Sequence, residues 1–134
     1  MRDPKAEGKR WLEQARHDLD AARTIIEQRL WWITCFQAQQ AAEKAVKAFL
    51  YASGERLVLG HSVAELVMEA GEKDERFVAL RAQGAALDRF YIPTRYPNGL
   101  PGGIPAESYT EEDARQAVEK AEAVLGLVDQ AIER

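Results

Sequence analysis

FQAQQAAEKAVKAFL, residues 36–50, lies inside a stretch from Leu30 to Ser53 that contains neither glycine nor proline and stops at Gly54. Trp32, Phe36, Ala42, Val46, Phe49 and Leu50 recur there at helical steps, forming one apolar stripe. Glycine is a natural helix terminator. The stretch therefore predicts a helix which, at ~1.5 Å per residue, is about 35 Å long, enough to span a small domain.

Working outward, the same periodicity returns on both sides. Leu12, Ala15, Leu19, Ala22 and Ile26 predict a helix over 8–28. Val63, Leu66 and Val67 predict one over 62–70, with Ser62 and Glu65 spaced as a capping box. Phe77, Leu80 and Leu87 predict a fourth over 74–90; Gly84 inside it implies a close helix crossing, since glycine there costs about 1 kcal/mol against alanine. Thr110 followed by Glu111, Glu112 and Asp113 marks the start of a last helix, whose face runs from Ala114 to Ile132. No segment alternates as a strand does. The expected fold is all-α, an antiparallel bundle of about five helices in one domain, 1–134. Trp11, Trp31 and Trp32 are large residues for such a bundle; they either fill its core or stand half-exposed under a partner subunit.

One span does not suit a plain bundle. Residues 92–109 read IPTRYPNGLPGGIPAESY and hold four of the five prolines and three of the nine glycines. Proline at every fourth position forbids helix. Loops this long are usually functional or disordered, and Ile92, Tyr96, Leu100, Ile104 and Tyr109 are apolar enough to be expected in buried positions, so an ordered functional loop is expected; the alternative is a passive strap. Arg95 is its only positive charge. Such an arginine either binds a phosphate or carboxylate, stacks on Tyr96, or caps a helix.

Composition limits the chemistry. Net charge is −4, opposite to the basic excess that duplex binding needs. The single Cys35, among Trp32, Ile33 and Phe36, reads as a buried, inert thiol suited to a reducing cytoplasm. No apolar run approaches the ~20 residues of a membrane span, and the polar N-terminal stretch 1–10 is unlike a secretory signal. His17 and His61 lie apart, so neither a metal site nor any cofactor is expected. Three constellations remain: Glu43, Lys44 and Lys47 in the long helix, with Glu43 and Lys47 four apart in the favourable order; His61 before the third helix; and Asp88, Arg89, Tyr91, Arg95 and Tyr96 at the mouth of the loop. The Glu43–Lys47 pair also has a plainer reading, a solvated pair on a helix flank.

In order, ARHDLDAA (15–22), FQAQQAAEKAVKAFL (36–50), GHSVAEL (60–66) and FYIPTRYPNGLPGGIPAESYTEEDA (90–114) make the chain resemble the HEPN family over nearly its whole length. Glu43-Lys44…Lys47, Gly60-His61 and Arg95-Tyr96-Pro97 carry most of the likeness. The resemblance implies a bundle similar to the helical domain of some nucleotidyltransferases. It also implies a homodimer or higher homo-oligomer and a minimal nucleotidyltransferase as partner, many such pairs being toxin–antitoxin systems. Nucleotide binding is implied as well; Arg95, Tyr96, Lys47, His61 and Glu43 are the candidate ligand-binding residues here.

Some branches of the family are metal-independent RNase toxins with an Arg-x(4–6)-His motif. No histidine follows Arg95; the only spacing match is Arg56 to His61, a match expected roughly 0.5 times by chance in this composition. Leu57 stands where active members carry a polar residue, and no tyrosine lies two after His61. The expected function is therefore a non-enzymatic interaction module in the cytoplasm. The alternatives are an RNase toxin using His61 with Arg56 or Arg95, and a purely structural oligomer. RNA is not the favoured partner, and no membrane is expected.

Overall fold

The structure, a computed structural model, describes residues 3–132; the two residues at each end of the 1–134 domain lie outside them. α1 is Pro4–Ile25. It begins four residues before the expected start because Asp3 caps it, accepting Ala6 N–H at 3.0 Å, and Pro4 fits the first turn. A 3-10 turn, Ile26–Gln28, follows, and Arg29 at φ 65° breaks the run. α2 is Trp31–Ala52, α3 is Val63–Gly71, α4 is Arg81–Asp88 and α5 is Glu111–Ile132. Among the described residues there is no strand.

α2 is the axis of the bundle. It packs against α1, α5, α3 and α4, and Ala38, Ala41, Ala42, Ala45 and Ala48 are fully buried along it. A single stripe therefore understates α2: small residues on its other faces let neighbours close in from several sides. α5 docks through Ala114, Ala117, Ala121, Val124 and Val128, and its start carries the Thr110 cap the sequence implied, made reciprocal by Asp113. Asp113 N–H donates to Thr110 Oγ1 at 3.1 Å, and Thr110 N–H donates back to Asp113 Oδ2 at 2.9 Å. Arg23 ties α1 to α5 through Glu122 at 2.7 Å, and Arg16 does so through Asp129.

Two expectations are corrected. The helix over 74–90 is instead a 3-10 segment, Glu75–Leu80, followed by α4. Phe77 and Leu80, both buried, are three apart, the spacing that eclipses in a 3-10 helix. Gly84 does mark a close crossing: a Cβ there would lie 2.8 Å from Ala64 N and 3.0 Å from Val63 C.

The second correction concerns the loop. Ile92, Tyr96 and Ile104 are 44, 50 and 46% exposed; the buried anchors are Thr94 and Pro105. Thr94 donates its hydroxyl to Phe90 O at 2.5 Å, which lets a polar residue go under, while short 3-10 turns led by Pro97 and Pro105 leave the larger side chains outside.

Trp11, Trp31 and Trp32 are half-buried rather than core-filling. Cys35 is buried, and burial, then the negative charge of Asp113, pushes its thiol up to about 12. Among the described residues no helix is long and apolar enough to cross a membrane.

Candidate functional site

Glu43 sits in the middle of α2 with its carboxylate buried. Its Oε2 takes Lys47 Nζ at 3.0 Å and faces His61 Nδ1 at 3.1 Å; its Oε1 receives Gln39 and Gln40 amides at 3.4 Å each. Gln39, fully buried, also donates to His61 O at 3.0 Å. The Glu43–Lys47 pair is thus no solvated flank: Lys47 is 6% exposed. A buried carboxylate is tolerable because each oxygen has partners.

His61 is exposed, and with Nδ1 on Glu43 its Nε2 has no hydrogen-bond partner among the described residues. Two contacts fix the ring. It stacks on Tyr91 with centroids 4.7 Å apart. The next residue, Ser62, donates its hydroxyl to Asp88 Oδ2 at 2.6 Å, while Asp88 also accepts Val63 N–H at 2.6 Å and Ala64 N–H at 3.2 Å. Asp88 thereby caps the positive end of α3 from the end of α4.

Tyr91 leads on to Arg95. The guanidinium lies 4.5 Å from the Tyr91 ring centroid, 4.7 Å from Phe36 and 5.3 Å from Tyr96, and its Nε donates to Tyr91 O at 2.8 Å. Cation–π contacts and the bond at Nε hold the group in place. It borders a cavity of about 440 Å³, whose walls include Trp32, Phe36, Thr94 and Pro105.

Of the residues singled out in the sequence, the structure joins Glu43, Lys47 and His61 in one network and links His61 to Arg95 and Tyr96 through Tyr91. Lys47 does not line the Arg95 cavity; its ammonium lies 5.8 Å from the Trp11 ring centroid. Arg56 is exposed on the link and makes no hydrogen bond or ion pair with His61. Lys44 turns instead to Asp18 at 2.6 Å. Gln39, Phe36 and the capping role of Asp88 were not anticipated; the step of four from Gln39 to Glu43 was the available signal for the first. Among the described residues no group of three or more His, Cys, Asp or Glu is placed to hold a metal.

An all-α bundle around one central helix, with a carboxylate–histidine contact beside an arginine-bearing proline loop, defines a class of small helical domains. Comparison with known proteins makes it specific: the model of the HEPN domain family matches residues 9–131, and the chain belongs to that family. The crystal structure of TT1696 from Thermus thermophilus superposes with a TM-score of 0.88 at 37% identity, covering 93% of this chain and 98% of that one. ST0689, an archaeal HEPN homologue, gives 0.78 at 33% identity, with 94% and 98% covered. A Methanocaldococcus jannaschii protein named "Putative toxin MJ1304" is 29% identical over 128 residues, 90% of this chain and 84% of that protein.

Proposed function

We propose that this HEPN domain is a non-enzymatic interaction module of a toxin–antitoxin pair, which self-associates, partners a small nucleotidyltransferase and holds a nucleotide through Arg95. The single observation that carries the ligand reading is Arg95 itself, fixed among three aromatic rings at the edge of a 440 Å³ cavity. With Nε engaged by Tyr91 O, the terminal guanidinium nitrogens remain for a phosphate fork, and Phe36 and Trp32 offer apolar wall to a base. Tyr96 stands beside it as an exposed contact, while Glu43, paired with Lys47, holds His61, and His61 stacks on Tyr91. The toxin association is supported by the name of the Methanocaldococcus jannaschii relative. Titration calorimetry with nucleotides tests the site: Arg95→Ala should weaken binding by about tenfold or more, as loss of a charge-assisted contact does; equal binding removes the assignment. Co-purification with a co-expressed cognate nucleotidyltransferase, and a mass above that of a monomer, test the partnerships.

One observation favours a second reading, an RNase. Glu43 on Nδ1 leaves His61 Nε2 open, the arrangement in which a carboxylate holds an imidazole as a general base. His61 would take the 2′-hydroxyl proton and Arg95 would meet the phosphate. RNA cleavage in EDTA that is lost in His61→Ala would establish it. Neither nucleotide binding nor cleavage would leave a structural oligomer.

A further inference from the structure

Val58 is the one buried residue of the link between α2 and α3, and its N–H donates to Tyr51 Oη at 3.1 Å. Leu57 and Leu59 on either side of it consequently face outward and are 69% and 73% exposed. The link is ordered rather than slack. Glu55 N–H bonds Leu50 O at 3.1 Å, and Gly60 turns the chain at φ +93°, a conformation other residues rarely adopt.

Single exposed leucines are ordinary, but these have company. Met68 and Val78 are 39% and 46% exposed. A hollow of about 570 Å³ is lined by Leu57 and Leu59 together with Glu69 of α3 and Glu72 just past its end. A second, of about 580 Å³, is lined by Met68, Val78 and the same two glutamates. Glu69 and Glu72 are therefore a ridge between two apolar-edged hollows, with Glu65 one turn earlier. None of these three carboxylates makes an ion pair with a described residue, and of the two lysine or arginine residues lining the hollows, Lys73 is taken by Glu55 at 3.5 Å.

We infer that this face docks a segment of a partner protein in which arginine or lysine alternates with apolar side chains. A second copy of the face would set carboxylate against carboxylate, and anionic lipid or nucleic acid would be repelled. A neutral apolar segment would strip water from unpaired carboxylates at a large cost. An arginine meets both demands, because its stem lies along leucine and methionine while its fork pairs Glu69 or Glu72. The face shares no lining residue with the Arg95 cavity, so it stands or falls apart from the nucleotide reading.

The test uses the full chain, isotope-labelled, titrated with a helical peptide of alternating leucine and arginine character and with a same-length control carrying glutamate for arginine. The arginine peptide should shift amides of 55–59 and 65–72, with affinity falling steeply as salt rises. Leu59→Ser with Met68→Ser, and separately Glu69→Lys with Glu72→Lys, should each weaken binding about tenfold or more, as loss of interface anchors does; all four sites are on the surface, so folding is retained. Equal binding of the glutamate peptide, shifts centred on the acidic first turn of α5, or indifference to both variants would overturn the inference. So would a dimer in sedimentation that Leu59→Ser with Met68→Ser abolishes, because the face would then belong to a second copy.

Discussion

His61 lies flat against Tyr91, ring centroids 4.7 Å and planes 17° apart. Both rings owe their place to Asp88. Its carboxylate receives the hydroxyl of Ser62 at 2.6 Å, next to His61, and its carbonyl accepts Tyr91 N–H at 3.2 Å. One residue at the end of α4 thus sets the first turn of α3 and the ring on which the histidine rests.

Replacing Asp88 by alanine removes an ionised acceptor from three donors. Charge-assisted hydrogen bonds and caps of this kind are worth about 2–3 kcal/mol. Urea denaturation of Asp88→Ala should show a loss of that order, and the His61 ring protons should move away from their Tyr91-shielded positions in NMR. An unchanged midpoint would show that α3 does not need this cap.

Glu43→Gln leaves the Lys47 ammonium buried without its counter-charge. Breaking such a pair from one side costs about 3–5 kcal/mol, whereas replacing both members by apolar groups is often nearly neutral. Glu43→Gln combined with Lys47→Met should therefore recover most of the stability lost by Glu43→Gln alone. A double variant as unstable as the sum of the two singles would mean that the ion pair is not what Glu43 contributes.

Gly84→Ala sets two effects against each other. Alanine is favoured in a helix by about 1 kcal/mol, but its Cβ would stand 2.8 Å from Ala64 N and 2.9 Å from Ala64 Cα, both backbone atoms that cannot rotate aside. Overpacking of this sort costs about 1–3 kcal/mol. The variant should melt below the wild type; a higher melting temperature would show that α3 and α4 separate freely.

Cys35 makes stability fall in alkali. Burial raises its thiol from an ordinary 9.0 to about 12, so between those values the folded state keeps a proton that the unfolded state has lost. Stability is full below the unfolded value and declines above it, by up to about 1.4 kcal/mol per pH unit. Urea midpoints measured at neutral pH and near pH 10 should diverge, and Cys35→Ala should narrow the difference. Tyr109, also raised by burial, adds to the same trend.

Much of the fold was legible because helices announce themselves locally. Leu12 to Ala22 on α1, Val63 to Val67 on α3 and Ala114 to Val128 on α5 are buried as their spacing predicted, and Ser62 and Thr110 cap the helices they precede. The fourth segment was less legible, since buried residues three apart satisfy a 3-10 turn and an α-helix alike. The loop was misread in detail: the apolar content of Ile92 and Tyr96 pointed inward, yet the residue that goes under is Thr94, whose hydroxyl finds Phe90 O.

What the amino-acid order settled alone was the place of α1, α2, α3 and α5 along the chain and the apolar faces of α1, α3 and α5, because these depend on neighbours within one or two turns. It also singled out Glu43, Lys47, His61 and Arg95. Only the tertiary structure decided what those side chains are. Glu43 is buried because α2 is enclosed by other helices, and it faces His61 because Asp88, 45 residues further along the sequence, pins Ser62. Burial and partnership at that distance come from how helices pack, and helical periodicity carries no record of which helix will lie against which.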